Sequence, residues 1–161
     1  MDEAGRIGKA VEYAVAAAVV LGTQGKVNAA TAMWDDEGVD LTFFTRDSSV
    51  DIQVKSRGIR SQTVSRGRYV AGVRQATFRV RDDLWMLFCL FDHVEATVGP
   101  FWLIRSDEFA QNAPLMNSGL LRFSASTKPD SRDRWSAYRV DRVSLPARIL
   151  DILGATPIAG V

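Results

Sequence analysis

The stretch from Gly38 to Lys55 constrains this chain most. Two short β-branched and aromatic runs, Val39 to Thr45 and Val50 to Val54, flank Arg46-Asp47-Ser48-Ser49, which is the composition of a β-hairpin. Side chains alternate along a strand, so Ile52 and Val54 take one face while Asp51, Gln53 and Lys55 take the other. A turn centred near Asp47-Ser48 sets Thr42 opposite Gln53 and Asp40 opposite Lys55, with opposed side chains on one face. An acid, an amide and an amine then share one patch of sheet.

A carboxylate and an amide oxygen side by side suit a hard cation, because Mg²⁺ takes oxygen ligands and keeps several waters. The Val54 carbonyl offers a third oxygen. A neighbouring lysine suits phosphate chemistry, where it orients a water or balances charge developing on phosphoryl oxygens. A plain half-exposed hairpin also sets Asp against Lys on its polar face, so spacing alone leaves both readings open.

Asp40, twelve intervening residues and then Gln53-Val54-Lys55-Ser56 form a pattern that resembles the D…(D/E/Q)-x-K signature of the PD-(D/E)XK phosphodiesterase superfamily. That superfamily includes type II restriction enzymes and archaeal Holliday-junction resolvases. The glutamine variant is similar to Mrr-type restriction nucleases and to several bacterial families with an I-Q-V-K-S strand. The likeness covers roughly residues 5 to 56 and thins out afterwards. It implies a restriction-endonuclease-like α/β fold, a mixed sheet with a helix on each side. It further implies a Mg²⁺ or Mn²⁺ centre on Asp40, Gln53 and the Val54 carbonyl, with Glu12 of a preceding helix reaching it directly or through water, and Lys55 positioning the attacking water. Gln53 replaces the usual acid, and Gly38-Val39-Asp40 lacks the nominal proline.

Net charge is only +1, yet residues 52 to 81 hold eight basic side chains and no Asp or Glu, a local charge of +8 against −7 elsewhere. Such asymmetry suggests a surface that meets a polyanion, and Arg57, Arg60, Arg66 and Arg68 are the candidate contacts to DNA phosphates. Seven of the eight are arginines, suited to bidentate phosphate contact. A solvated strand-and-loop face has the same composition.

A length of 161 residues with 47% hydrophobic residues predicts one domain over 1–161. The lone Cys89 lies in the apolar run Leu84 to Phe91 without a disulfide partner, which favours a reducing, cytoplasmic setting. Ala10 to Leu21 is interrupted by Glu12 and is shorter than the roughly 20 residues that span a bilayer, so no membrane segment is expected.

Along the chain, helices are predicted from Gly5 to Leu21, with Val11, Val15 and Val19 in its apolar stripe and Glu12 at the stripe's edge. Others are expected from Ser106 to about Asn112, capped by Ser106, and after Ser144, with Pro146 in the first turn and Gly154 at the end. Gly22 is read as the stop of the first helix. Strands are predicted from Lys26 to Trp34, Arg68 to Val73, Ala76 to Arg81, Leu84 to Phe91 (central, covered on both faces), Phe101 to Ile104, Leu120 to Ser124 and Trp135 to Val140. Asp35-Asp36-Glu37-Gly38 reads as a turn, Ser56 onward as a basic loop replacing the superfamily's crossover helix, and Ala155 to Val161 as a frayed tail. His93 is the only histidine and has no metal-ligand cluster around it in sequence.

The reading that follows is a metal-dependent DNA endonuclease that contacts phosphates without reading sequence, with a possible twofold dimer for double-strand cleavage. One rival reading is a nuclease-derived nucleic-acid-binding or protein-interaction module in which neutral Gln53 has weakened the metal site. A second is a small-molecule or acyl-transfer enzyme, for which the sequence offers only scattered serines and one histidine.

Overall fold

The computed structural model describes residues 1–33 and 38–154. Its first helix, α1 (Glu3–Gly22), begins where the Asp2 carboxylate accepts the Gly5 N–H at 2.8 Å. Val11, Val15 and Val19, spaced four apart, are its buried stripe. The helix ends at Gly22, as expected, with Thr23 as its cap. Gly22 is the last helical residue and packs directly on Pro146, an approach that leaves no room for a side chain. The chain leaves the helix at Thr23, whose hydroxyl donates to the Val19 carbonyl, and then passes through Gln24 and Gly25 at positive φ.

The main sheet contains β1 (Asn28–Thr31), β2 (Leu41–Phe44), β3 (Ser49–Gly58), β5 (Leu84–Asp92), β6 (Thr97–Arg105) and β8 (Arg139–Val140), hydrogen-bonded in that order. All neighbours are antiparallel except β3 and β5. A parallel pair needs a crossover. Here it holds a single-turn helix, α2 (Gln62–Ser65), and a strand, β4 (Arg68–Arg74), in place of a full-length helix. β4 pairs with β7 (Leu120–Ser126) as a separate two-stranded ribbon.

Two cores sandwich the sheet. On one face α1 and α4 (Leu145–Ile152) cover Leu41, Phe43, Ile52 and Leu87. On the other, the ribbon, α3 (Ser106–Asn112) and Trp135 cover Met86, Phe88, Trp102 and Ile104. Phe123 of the ribbon stacks on Phe88 of β5, ring centres 3.9 Å apart. The expected mixed sheet with helices on both sides is therefore observed, and β5 is its doubly covered central strand.

Several local expectations change. The first strand is shorter than predicted, and Trp34, Asp35, Asp36 and Glu37 lie outside the described residues, as does the tail from Ala155. β3 continues through Gly58 because it pairs with β5 that far. Ala76 to Arg81 is not a strand, since the Thr77 and Phe78 N–H groups turn back to the Arg74 carbonyl. Trp135 to Val140 is mostly a 3-10 turn launched by Asp133, whose carboxylate accepts the N–H groups of Ser126 (2.7 Å) and Trp135 (2.9 Å). Burial opposes the charge on Asp133, but those backbone bonds prevail and hold its pKa below the usual value. Ser106 does not cap α3. Its hydroxyl bonds instead with both the N–H and the carbonyl of Arg81.

Candidate functional site at the β2–β3 hairpin

The hairpin forms, but its register is two residues from the expected one. Thr42 pairs with Asp51 and Leu41 with Ile52, and the Asp40 N–H donates to the Ile52 carbonyl at 2.9 Å. The turn is centred earlier because Thr45 closes it, its N–H donating to the Ser48 carbonyl and its hydroxyl accepting the N–H of Asp47 and Ser48. A slip of two residues preserves the faces. Ile52 and Val54 pack toward α1, while Asp51, Gln53 and Lys55 lie on the ribbon side.

The shift moves Asp40 away from Lys55 and up to Gln53 and Val54. Beyond Leu41 the two strands part, and the Asp40 carboxylate turns in to accept the Val54 N–H at 2.6 Å. Gly38 explains how the chain approaches so closely. Its φ is +70°, and a Cβ there would lie 2.8 Å from the Gln53 amide nitrogen. Lys55 follows Gln53 on the same face, half-buried, and its carbonyl accepts the hydroxyl of buried Tyr69 at 2.6 Å.

Glu12 arrives from the opposite layer. Its carboxylate accepts Lys9 Nζ at 2.7 Å and is only 13% exposed. That hydrogen bond holds the Lys9 ammonium above its ordinary pKa despite partial burial, and the Asp40 charge acts in the same direction. Glu12, Lys9 and Asp40 thus share one electrostatic neighbourhood. Sequence reading missed Lys9, although its spacing three residues before Glu12 on a helix is the usual signal for such a pair.

Asp51, on the same face, is engaged elsewhere, accepting the Thr42 hydroxyl and the Arg81 guanidinium, each at 2.6 Å. Arg81 also binds Asp83, whose pKa it lowers. Arg81 therefore leaves the basic surface that its sequence position suggested. Arg57, near the end of β3, and Arg60, Arg66 and Arg68 on the crossover are all exposed. Arg57 donates to the Val70 carbonyl at 3.1 Å, Arg60 adds to the Val94 N–H in keeping the Asp92 carboxylate charged, and Arg68 donates to Ser124.

Among the described residues no three His, Cys, Asp or Glu side chains cluster as a metal-binding group. The hairpin brings the Asp40 carboxylate to the Val54 N–H beside Gln53, whereas Glu12 stands on α1, paired with Lys9. His93 sits on the exposed turn between β5 and β6, and Cys89 is fully buried with its thiol pKa pushed up to about 12 by that burial. No described helix is long and apolar enough to cross a membrane.

No protein-family model and no curated protein matches the chain. Among solved structures its fold is similar to that of a bacterial homing endonuclease, I-Ssp6803I, with a TM-score of 0.52 and 19% sequence identity over 89% of each chain. At that identity the likeness is one of fold, and it agrees with the mixed sheet and flanking helices described above. The chain has an endonuclease-like α/β fold.

Proposed function

We propose that the protein is a metal-dependent DNA endonuclease of the PD-(D/E)XK type, organised as one restriction-endonuclease-like domain. The observation that carries this reading is the Asp40 carboxylate bound to the Val54 N–H, beside Gln53, with Lys55 next on the same face. The fold's likeness to a homing endonuclease supports DNA as the substrate class.

The donor set is all oxygen, which fits Mg²⁺ or Mn²⁺ and no soft metal. Asp40 and Glu12 contribute the negative charge, Gln53 a neutral oxygen, and Val54 its carbonyl, which strand geometry directs to the same edge as the N–H that Asp40 accepts. When bound, the ion supplies Lewis-acid stabilisation of phosphoryl oxygens and a more acidic water. Lys55 holds the attacking water and offsets charge that develops on the phosphate. Tyr69 keeps the Lys55 backbone in place, and Lys9 balances Glu12 until metal is bound. Arg57, Arg60, Arg66 and Arg68 grip the DNA backbone. A twofold dimer would let two such sites cut both strands, and a buried thiol at Cys89 suits a reducing cytoplasm.

Cleavage of linear, branched and single-stranded DNA with Mn²⁺ or Mg²⁺ tests the reading. The wild type should cut at least one substrate, chelation should stop it, and Asp40→Ala and Lys55→Ala should each abolish cutting. A wild type that binds DNA but cuts none of these would favour the nuclease-derived binding module.

A further inference from the structure

The β4–β7 ribbon contains a feature that phosphate gripping does not use. Its inward side chains are buried in the aromatic core, while its outward face is exposed or half-exposed along both strands. Neither strand contains an acidic residue. Arg68 and Arg74 stand at the two ends of β4 on the outer face, and Arg122 faces Gly72 midway between them. Among the described residues, no hydrogen bond or ion pair engages the side chains of Arg74 or Arg122. Beside them opens a groove of about 390 Å³ bounded by Arg68, Arg122, Ser124 and Arg134.

Resting on the nuclease reading above, we propose that the outer face of this ribbon enters the major groove of duplex DNA and reads base edges, with Arg122 and Arg74 as the specificity-determining residues. The dimensions agree. A two-stranded ribbon fits the major groove, and the six residue steps from Arg68 to Arg74 span about 20 Å, the rise of about six base pairs. The chemistry agrees as well. Unengaged guanidinium forks match guanine O6 and N7, and Leu120, which faces Arg74 and leans over Gly72, gives an apolar contact for a thymine methyl. Gly72 permits that approach, since the space a Cβ would take there is filled by Leu120 at 2.9 Å. Two contacts tie the ribbon to the cleavage strand: Tyr69 hydroxyl to Lys55 carbonyl (2.6 Å) and Arg57 to Val70 carbonyl (3.1 Å). The bases read would thus be held at a fixed distance from the phosphate attacked.

Selection of duplexes from a randomised pool, with the full chain in chelator so that nothing is cut, tests this directly. The wild type should enrich guanine at defined positions within a run of about six base pairs. Arg122→Ala should lower discrimination at one or two of those positions by about 5- to 150-fold, and Arg74→Ala should do so at different positions. Arg122→Gln should move the preference from guanine toward adenine. All three substitutions are on exposed side chains, and unchanged thermal melts would confirm folding. Pools without base preference, or variants that weaken binding equally for every sequence, would overturn the ribbon assignment and leave the nuclease reading intact. A wild type that binds no duplex at low salt would overturn the ribbon assignment, and the nuclease reading would then stand or fall separately on cleavage of branched and single-stranded DNA.

Discussion

Replacing Tyr69 by phenylalanine isolates the contact that joins the ribbon to the strand carrying Lys55. Tyr69 is fully buried, with edge-to-face contacts to Phe88, Trp102 and Phe123, and Tyr69→Phe keeps the ring that makes them. What is lost is the 2.6 Å bond to the Lys55 carbonyl. Because Lys55 also belongs to the β3–β5 ladder, the cost near pH 8 should be that of one net hydrogen bond, about 0.5–1.5 kcal/mol. For a chain of this size that is a fall in Tm of about 1–6 °C. The pH dependence is a sharper test. Burial raises the Tyr69 pKa in the folded protein. A raised folded pKa contributes stability that is complete below the unfolded value of about 10 and is lost as pH rises toward the folded value. Above pH 10 the wild type should therefore lose about 1.4 kcal/mol per pH unit relative to Tyr69→Phe. The two stability curves should meet between about pH 10 and 11 and then cross. Cys89 titrates in the same direction and is present in both proteins. Urea unfolding from pH 8 to 11 measures this. A gap that stays constant over that range would refute the buried, neutral, hydrogen-bonded tyrosine.

Other substitutions probe the rest of the architecture. Phe123→Ala removes the ring stacked on Phe88 and should cost about 3–5 kcal/mol in denaturant unfolding, more than any single exposed arginine. Asp133→Ala removes the acceptor for the Ser126 and Trp135 N–H groups and should cost about 1–3 kcal/mol at neutral pH. Since its folded pKa is lowered, that contribution is present above the unfolded value of about 3.9 and lost as pH falls through the folded one, so the gap should close in acid. Joint replacement of Arg57, Arg60, Arg66 and Arg68 by alanine should weaken DNA binding and flatten its log–log salt slope by up to about 3 to 4. An unchanged slope would return those side chains to an ordinary solvated face.

Much of the fold was legible where a single physical signal dominated. The valine stripe of α1, the continuous apolar run of β5 and the hairpin's alternation each have one reading, and the structure has them. The hairpin register was not legible, because turn closure by Thr45 is a matter of side-chain hydrogen bonds that composition does not reveal. The faces were nevertheless preserved, since a two-residue slip returns every side chain to its own side. The ribbon was hidden for another reason. β4 and β7 are 46 residues apart even at their nearest ends, Arg74 and Leu120, and long-range pairing leaves no local trace. The same holds for Arg81, which local charge placed on the basic surface while Asp51, thirty residues earlier, drew it into an ion pair. The Lys9–Glu12 pair was within reach of helix spacing alone.

Calorimetric titration of Mn²⁺ into the wild type, Asp40→Ala, Gln53→Glu and Lys55→Ala tests the central claim most directly. A glutamine oxygen is neutral, so Gln53→Glu adds a negative charge to the donor set and should tighten binding, whereas Asp40→Ala should abolish it. Lys55→Ala should bind metal about as well as the wild type, because its work is on the water and the phosphate. Tighter binding in Gln53→Glu with none in Asp40→Ala is the result the account predicts. Equal binding by the wild type and Asp40→Ala, or no gain in Gln53→Glu, would contradict a metal centre at the β2–β3 hairpin.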